Sequence, residues 1–152
     1  ILYGGLLILV AFLILGIIFV NSLRNKVPEV VYEFPAPEAV VRQYFVAWNN
    51  KDYPNMYATL SDGFKKIDPN AKDLDNFREF AAAQGIEGVN ILEIRALSND
   101  GTTASVAYSI EFILSDGTKK PFGDKFTLKF RKGDIIQGWK LIHPYGKNID
   151  TG

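Results

Sequence analysis

The chain contains no cysteine. Disulfides, thiolate nucleophiles and cysteine-based metal sites are therefore excluded. A single histidine, His143, stands among 152 residues, too few for the usual histidine metal sets. Neither sign of charge is in excess: 17 basic residues face 17 acidic ones. A nucleic-acid partner, which would call for a basic face, is not expected. Gly85 and Gly88 have no strand before them and make no phosphate loop, and no serine elbow is present. No internal repeat or low-complexity tract appears, and no cofactor or metal is expected.

What is present is divided very unevenly. Residues 1–20, ILYGGLLILVAFLILGIIFV, carry no charged side chain. Twenty residues at about 1.5 Å each span roughly 30 Å, the thickness of a bilayer's hydrocarbon core. A transmembrane helix is expected over residues 1–23. A secretory signal would have a shorter apolar stretch and small residues at a cleavage site, and Phe19-Val20-Asn21-Ser22-Leu23 offers none. Gly4, Gly5 and Gly16 form no Gly-x-x-x-Gly pair, and no intramembrane charge marks a transport path. The numbered chain opens on Ile1, so a processed or longer product is expected and the flank that sets topology lies ahead of it. Arg24 and Lys26, read alone, hold the following domain in the cytoplasm.

From Val27 onward 15 basic residues stand against 17 acidic ones, the composition of an ordinary folded domain. Residues 24–36 are expected to form a stalk, stiffened by Pro28 and Pro35. Its Val30, Val31, Tyr32 and Phe34 are apolar enough to lie against the domain or a partner. Residues 37–148 are expected to form one domain, with 149–152 as a tail. Pro37 suits a first helical position, and Val40, Val41, Tyr44, Phe45 and Trp48 then make one apolar stripe. Asp52 caps a short second helix with Tyr53, Met56, Tyr57 and Leu60 on its buried side, closed by a Ser61-Asp62-Gly63 turn. Asp73 caps a third over Leu74–Gln84, with Leu74, Phe77, Phe80 and Ala81 as its stripe and Gly85 as its stop.

The apolar period then changes from about 3.6 to 2. Strands are expected over Val89–Leu97, Thr103–Leu114, Phe122–Arg131 and Ile135–His143, parted by turns at Asn99-Asp100-Gly101, Asp116-Gly117 and Lys132-Gly133-Asp134. Three helices followed by about four antiparallel strands specify an α+β fold, its long helix laid across a curved sheet.

The stretch PEAVVRQYFVAWNNKDYPNMYATLSDGFKKI, with Trp48, Asp52, Tyr57, Leu60 and Phe64, resembles the opening of nuclear transport factor 2-like (cystatin-like α+β cone) domains. The ending GWKLI, Gly138–Ile142, resembles that family's final strand. The resemblance implies the fold over about residues 37–145. It leaves function open, since such domains serve as isomerases, dehydratases, hydrolases, carriers and scaffolds. A single span before such a domain resembles the bitopic scaffold subunits of type IV secretion systems, and the membrane-proximal domain of some penicillin-binding proteins. That likeness implies a domain outside the cytoplasm that makes contacts.

Several residues are candidates for chemistry. His143 needs an orienting partner to act as a base, and it faces inward only if Trp139 and Leu141 do. Asp124 falls in phase with Phe122, Phe126 and Phe130 on the apolar face, where a carboxylate is costly unless solvated or paired. Both remain weak catalytic candidates beside the plainer reading of a strand-end histidine and a rim carboxylate. Tyr44, Trp48, Tyr57, Tyr108 and Phe112 either fill a core or line a cavity for a small apolar or lipid-like ligand. Lys125, Thr127, Lys129 and Arg131 form an outward row that either pairs with neighbours such as Glu111 or meets lipid headgroups or an acidic partner.

The sequence therefore points to a single-pass membrane protein, its soluble domain extracytoplasmic, acting as a non-catalytic accessory or scaffold subunit. Its expected partners are the bilayer through residues 1–20, other membrane or envelope proteins, and a second copy through the sheet. A ligand-binding cone and an acid/base enzyme are the alternatives.

Overall fold

A computed structural model describes residues 33–145. The expected transmembrane helix, most of the stalk and the tail lie outside these residues. Among the described residues no helix is long and apolar enough to cross a membrane.

The first helix, α1, runs Pro37–Asn49. It starts where Pro37 needs no hydrogen-bond acceptor, and it buries Val40, Val41, Phe45 and Ala47 along one stripe. Helix α2, Tyr53–Tyr57, begins at Asp52, whose carboxylate accepts from the Asn55 N–H. A third helix, α3, occupies Asp62–Ile67, where the sequence predicts only a turn. Ser61 is the reason: its hydroxyl accepts from the Phe64 N–H at 2.9 Å and caps a new helix. Helix α4, Leu74–Ala83, is capped by Asp73 and stopped before Gly85, whose φ is +69°. Of its predicted stripe Phe77 and Ala81 are buried, whereas Phe80 is 42 % exposed.

Four strands follow: β1 Ile86–Asn99, β2 Thr103–Leu114, β3 Lys119–Arg131 and β4 Gly138–Leu141. They form one antiparallel sheet in sequence order. The last strand is shorter than predicted, because Ile135 and Ile136 stand outside it and are exposed. Leu141 also lies parallel to Leu60, with hydrogen bonds to Thr59 and Ser61 on the α2–α3 connection.

The pairing of β1 with β2 slips at Ile86/Gly88, Ile91/Glu93 and Ala96/Ser98. Each bulge bends and twists the strand, which curves the sheet around α1. The residues skipped at the second and third bulges, Leu92 and Leu97, are exposed. At the first, the Asn49 amide oxygen accepts from the Val89 N–H at 2.9 Å. Gly88 is needed there, since an added Cβ would lie 3.2 Å from that oxygen and 3.3 Å from Ile113.

The core lies between α1 and the concave sheet face. The Phe45 ring is 4.8 Å from Tyr108 and 6.0 Å from Phe126, and Tyr108 stacks on Phe126 at 4.8 Å. Ile110, Val106, Leu128 and Leu141 close the layer, each at most 1 % exposed. Phe45→Ala is expected to cost about 3–5 kcal/mol in urea unfolding, whereas Ile135→Ala should stay within about 0.5 kcal/mol of the parent.

Candidate functional site

The five aromatic residues singled out in the sequence do not form one group. Tyr44 packs edge-on against Phe45, Trp48 and Phe126, at 5.1, 5.9 and 5.5 Å. Trp48 meets Phe112 at 5.2 Å. These contacts join Tyr44, Trp48, Tyr108 and Phe112 in one aromatic layer under α1. Burial, with Tyr108 nearby, pushes the Tyr44 hydroxyl well above its ordinary value. The Tyr108 hydroxyl is pushed up to about 12, by burial first and by the Asp124 charge second. Tyr57 lies apart, its ring tilted against Phe77 at 5.4 Å, with its hydroxyl donating to the Ala71 carbonyl at 2.9 Å. Among the described residues the Trp48 indole N–H is a buried side-chain donor with no partner.

The two weak catalytic candidates share a surface hollow. Asp124, Lys125, Phe126, Thr127, Ile142, His143 and Pro144 line about 260 Å³. Asp124 is in phase with the apolar face as predicted, since it stands opposite Tyr108 in the ladder. It is exposed there and accepts from the Lys125 N–H at 2.8 Å, so water solvates its charge. Trp139 and Leu141 do face inward, against Phe130 and Leu128. The strand ends at Leu141, however, so the alternation does not carry on to His143. His143 instead rests on Phe64 at 4.9 Å, its Nε2 lies 3.3 Å from the Asp68 carboxylate, and its Nδ1 accepts from the Tyr145 N–H at 3.2 Å. The Nε2–H tautomer satisfies both contacts. To act as a base, His143 would have to give up the bond from Tyr145.

The outward row is shorter than the sequence predicts. Lys125, Thr127 and Lys129 pair with Ala107, Ser105 and Thr103 on the outer sheet face. Arg131 is turned away from solvent: its side chain is 11 % exposed and pairs with Asp134 at 3.0 Å, itself 3 % exposed. Glu111 contacts Lys119 and Asn90.

The fold also brings together a group of charged side chains that the sequence does not flag. Asp134 also accepts from the Asp62 N–H at 2.9 Å, and Asp62 in return accepts from the Ile135 N–H at 3.1 Å. Lys140, 7 % exposed, donates to the Ala58 carbonyl at 2.8 Å. Burial, with Lys65 beside it, lowers the Lys140 ammonium, against the pull of Asp134 and Asp62. Lys65 is lowered mainly by burial and lies over the Tyr57 ring at 4.3 Å. These contacts join residues far apart in the chain, so no local spacing announces them. The Ser61 cap that starts α3 is the one local signal of this corner. Among the described residues no group of three or more His, Asp or Glu could hold a metal ion.

No protein-family model matches the chain, and no curated protein matches it. Solved structures do match. A SEC-C motif containing protein from Psychrobacter arcticus is 13 % identical with a TM-score of 0.53, over 80 % of this chain and 67 % of that one. A SEC-C motif containing protein from Rhodopseudomonas palustris is 17 % identical with a TM-score of 0.51, over 71 % and 76 %. An NTF2-like protein of unknown function from Burkholderia pseudomallei is 14 % identical with a TM-score of 0.47, over 71 % and 89 %. The first two show a shared fold.

The Tyr108 phenol, whose folded value is about 12 against an ordinary 10, keeps its proton longer in the folded chain. Its contribution is full below pH 10 and is lost as pH rises towards 12. Tyr108→Phe should therefore flatten the alkaline fall of stability in that window, measured by urea midpoints at stepped pH. An unchanged slope would contradict the assignment.

Proposed function

We propose that this chain is a single-pass, membrane-anchored accessory subunit whose nuclear transport factor 2-like domain makes contacts instead of catalysing a reaction. The anchor is the uncharged run over residues 1–20, and the domain is taken to lie outside the cytoplasm. One observation carries the non-catalytic part. Both ring nitrogens of His143 are engaged, by Asp68 and by the Tyr145 N–H, while Asp124 is exposed to water. An acid/base enzyme needs a group with a free proton site aimed at substrate. The aromatic layer further supports the reading, since its rings contact one another where a substrate would have to sit. The bilayer, membrane or envelope proteins and a second copy through the outer sheet face are the proposed partners.

A second reading rests on Trp48. A buried indole N–H without a partner is costly, and a small apolar ligand with one acceptor would satisfy it. Trp48→Phe removes that donor while keeping an aromatic ring.

Photo-cross-linking of the full chain in its native membrane tests the first reading. Discrete adducts with other polypeptides or with a second copy are expected, and a chain that stays monomeric under all labelling positions would contradict it. For the second reading, native mass spectrometry of the purified protein should show a retained small molecule that Trp48→Phe releases. If nothing is retained, the unpaired donor is merely a defect, and Trp48→Phe should leave stability unchanged or raise it by about 1 kcal/mol.

A further inference from the structure

Ile135 is 93 % exposed and Ile136 56 % exposed, side by side in the β3–β4 loop. Two adjacent isoleucines in water are unfavourable, and a slack loop would fold them inward. This loop is clamped open. Asp134 is held by Arg131 at 3.0 Å and by the Asp62 N–H at 2.9 Å, and the Asp62 carboxylate fixes the Ile135 N–H at 3.1 Å. The clamp is itself buried, with the Asp134 side chain only 3 % exposed.

The surroundings of the loop are basic. Ile135 lines an open hollow of about 530 Å³ with Tyr57, Asp62, Lys65, Lys66 and Lys72. Three lysines line the hollow with Asp62, whose carboxylate is bound to the loop backbone; of the nearby carboxylates Asp134 is paired with Arg131 and Asp73 caps α4. Lys132 is exposed at the start of the loop. Apolar side chains projecting from a basic surround match an anionic bilayer surface, where headgroups meet the lysines and acyl chains meet the isoleucines.

The path of the chain agrees with this placement. Phe34 packs on Phe130 at 5.2 Å and lies 3.5 Å from where a Cβ on Gly138 would be. Pro35 and Ile136 line one groove. The polypeptide thus enters the domain beside this loop. Ten residues, 24–33, separate Phe34 from the end of the apolar segment, a reach of roughly 35 Å at full extension. On the anchored reading, a tether of that length leaves this corner within reach of the bilayer.

We infer that the β3–β4 loop, with Ile135 and Ile136 at its tip and Lys65, Lys66 and Lys72 beside it, docks the domain onto anionic phospholipid at the membrane that holds its N-terminal segment. This rests on the anchored reading above.

The absence of cysteine makes the test direct. The full chain carrying Ile135→Cys, labelled with an environment-sensitive fluorophore, is reconstituted into phosphatidylcholine vesicles with or without phosphatidylglycerol. Lys120→Cys, at the far end of β3 and roughly 35 Å from the loop, is the control. The label at 135 should be quenched by doxyl-labelled lipid, more strongly when phosphatidylglycerol is present, and the label at 120 should not. Lys66→Gln and Lys72→Gln should each lower the docked-to-undocked ratio about fivefold. Ile135 touches little, so its replacement leaves the fold intact. If the chain resists alkaline extraction and the label at 135 stays as unquenched as that at 120, the docking inference fails while the anchor stands. Alkaline release of the chain from the vesicles overturns the anchored reading and the inference together. If two unlabelled Ile135→Cys chains join through a disulfide and the labelled chain shows no lipid quenching, contact between copies replaces the inference.

Discussion

Phe45 is shut between α1 and the sheet, 4.8 Å from Tyr108 and 6.0 Å from Phe126, and is 2 % exposed. Aromatic pairs at such separations contribute beyond the area they bury, so this contact fixes both the position and the roll of the helix. The roll puts Tyr44 and Trp48 on the same layer, against Phe126 and Phe112. The sheet must curve to meet it, and the three slips in the β1–β2 pairing provide the bend. Asn49, at the end of the same helix, fills the backbone gap at the first slip.

A filled interior moves the charged chemistry to the edges. Asp124 stands within β3 opposite Tyr108, close enough to affect its phenol and still in water. His143 is bound to Asp68 beyond the last strand. At another corner Arg131, Asp134 and Asp62 knit the β3–β4 loop to α3, and Lys140 and Lys65 lie beside them. Burial there disfavours the charged amines. A domain arranged in this way has a solid centre and a differentiated surface.

Much of the architecture was legible because it follows periods. Helix α1 shows its stripe at Val40, Val41, Phe45 and the strand β2 alternates over Ala104, Val106, Tyr108 and Ile110, and all seven are buried. Asp52 and Asp73 announce their helices by capping them. Helix α3 was hidden because Ser61-Asp62-Gly63 carries turn signals, and the same serine can cap a helix. Ile135 and Ile136 resembled strand residues, but the clamp at Asp134 turns them into solvent. Arg131 resembled a surface charge for the same reason: its partner, three residues on, is buried by helix α3 contacts that no local pattern encodes. Phe80 lies on an apolar stripe yet is 42 % exposed.

The space between α1 and the sheet is packed core. Xenon, which occupies dry apolar cavities, tests it without any assumption about substrate. Under xenon pressure, crystals or NMR spectra of the protein should reveal no gas among Phe45, Tyr108, Phe126 and Trp48. Xenon bound in that layer would mean an open cavity and would contradict a packed core.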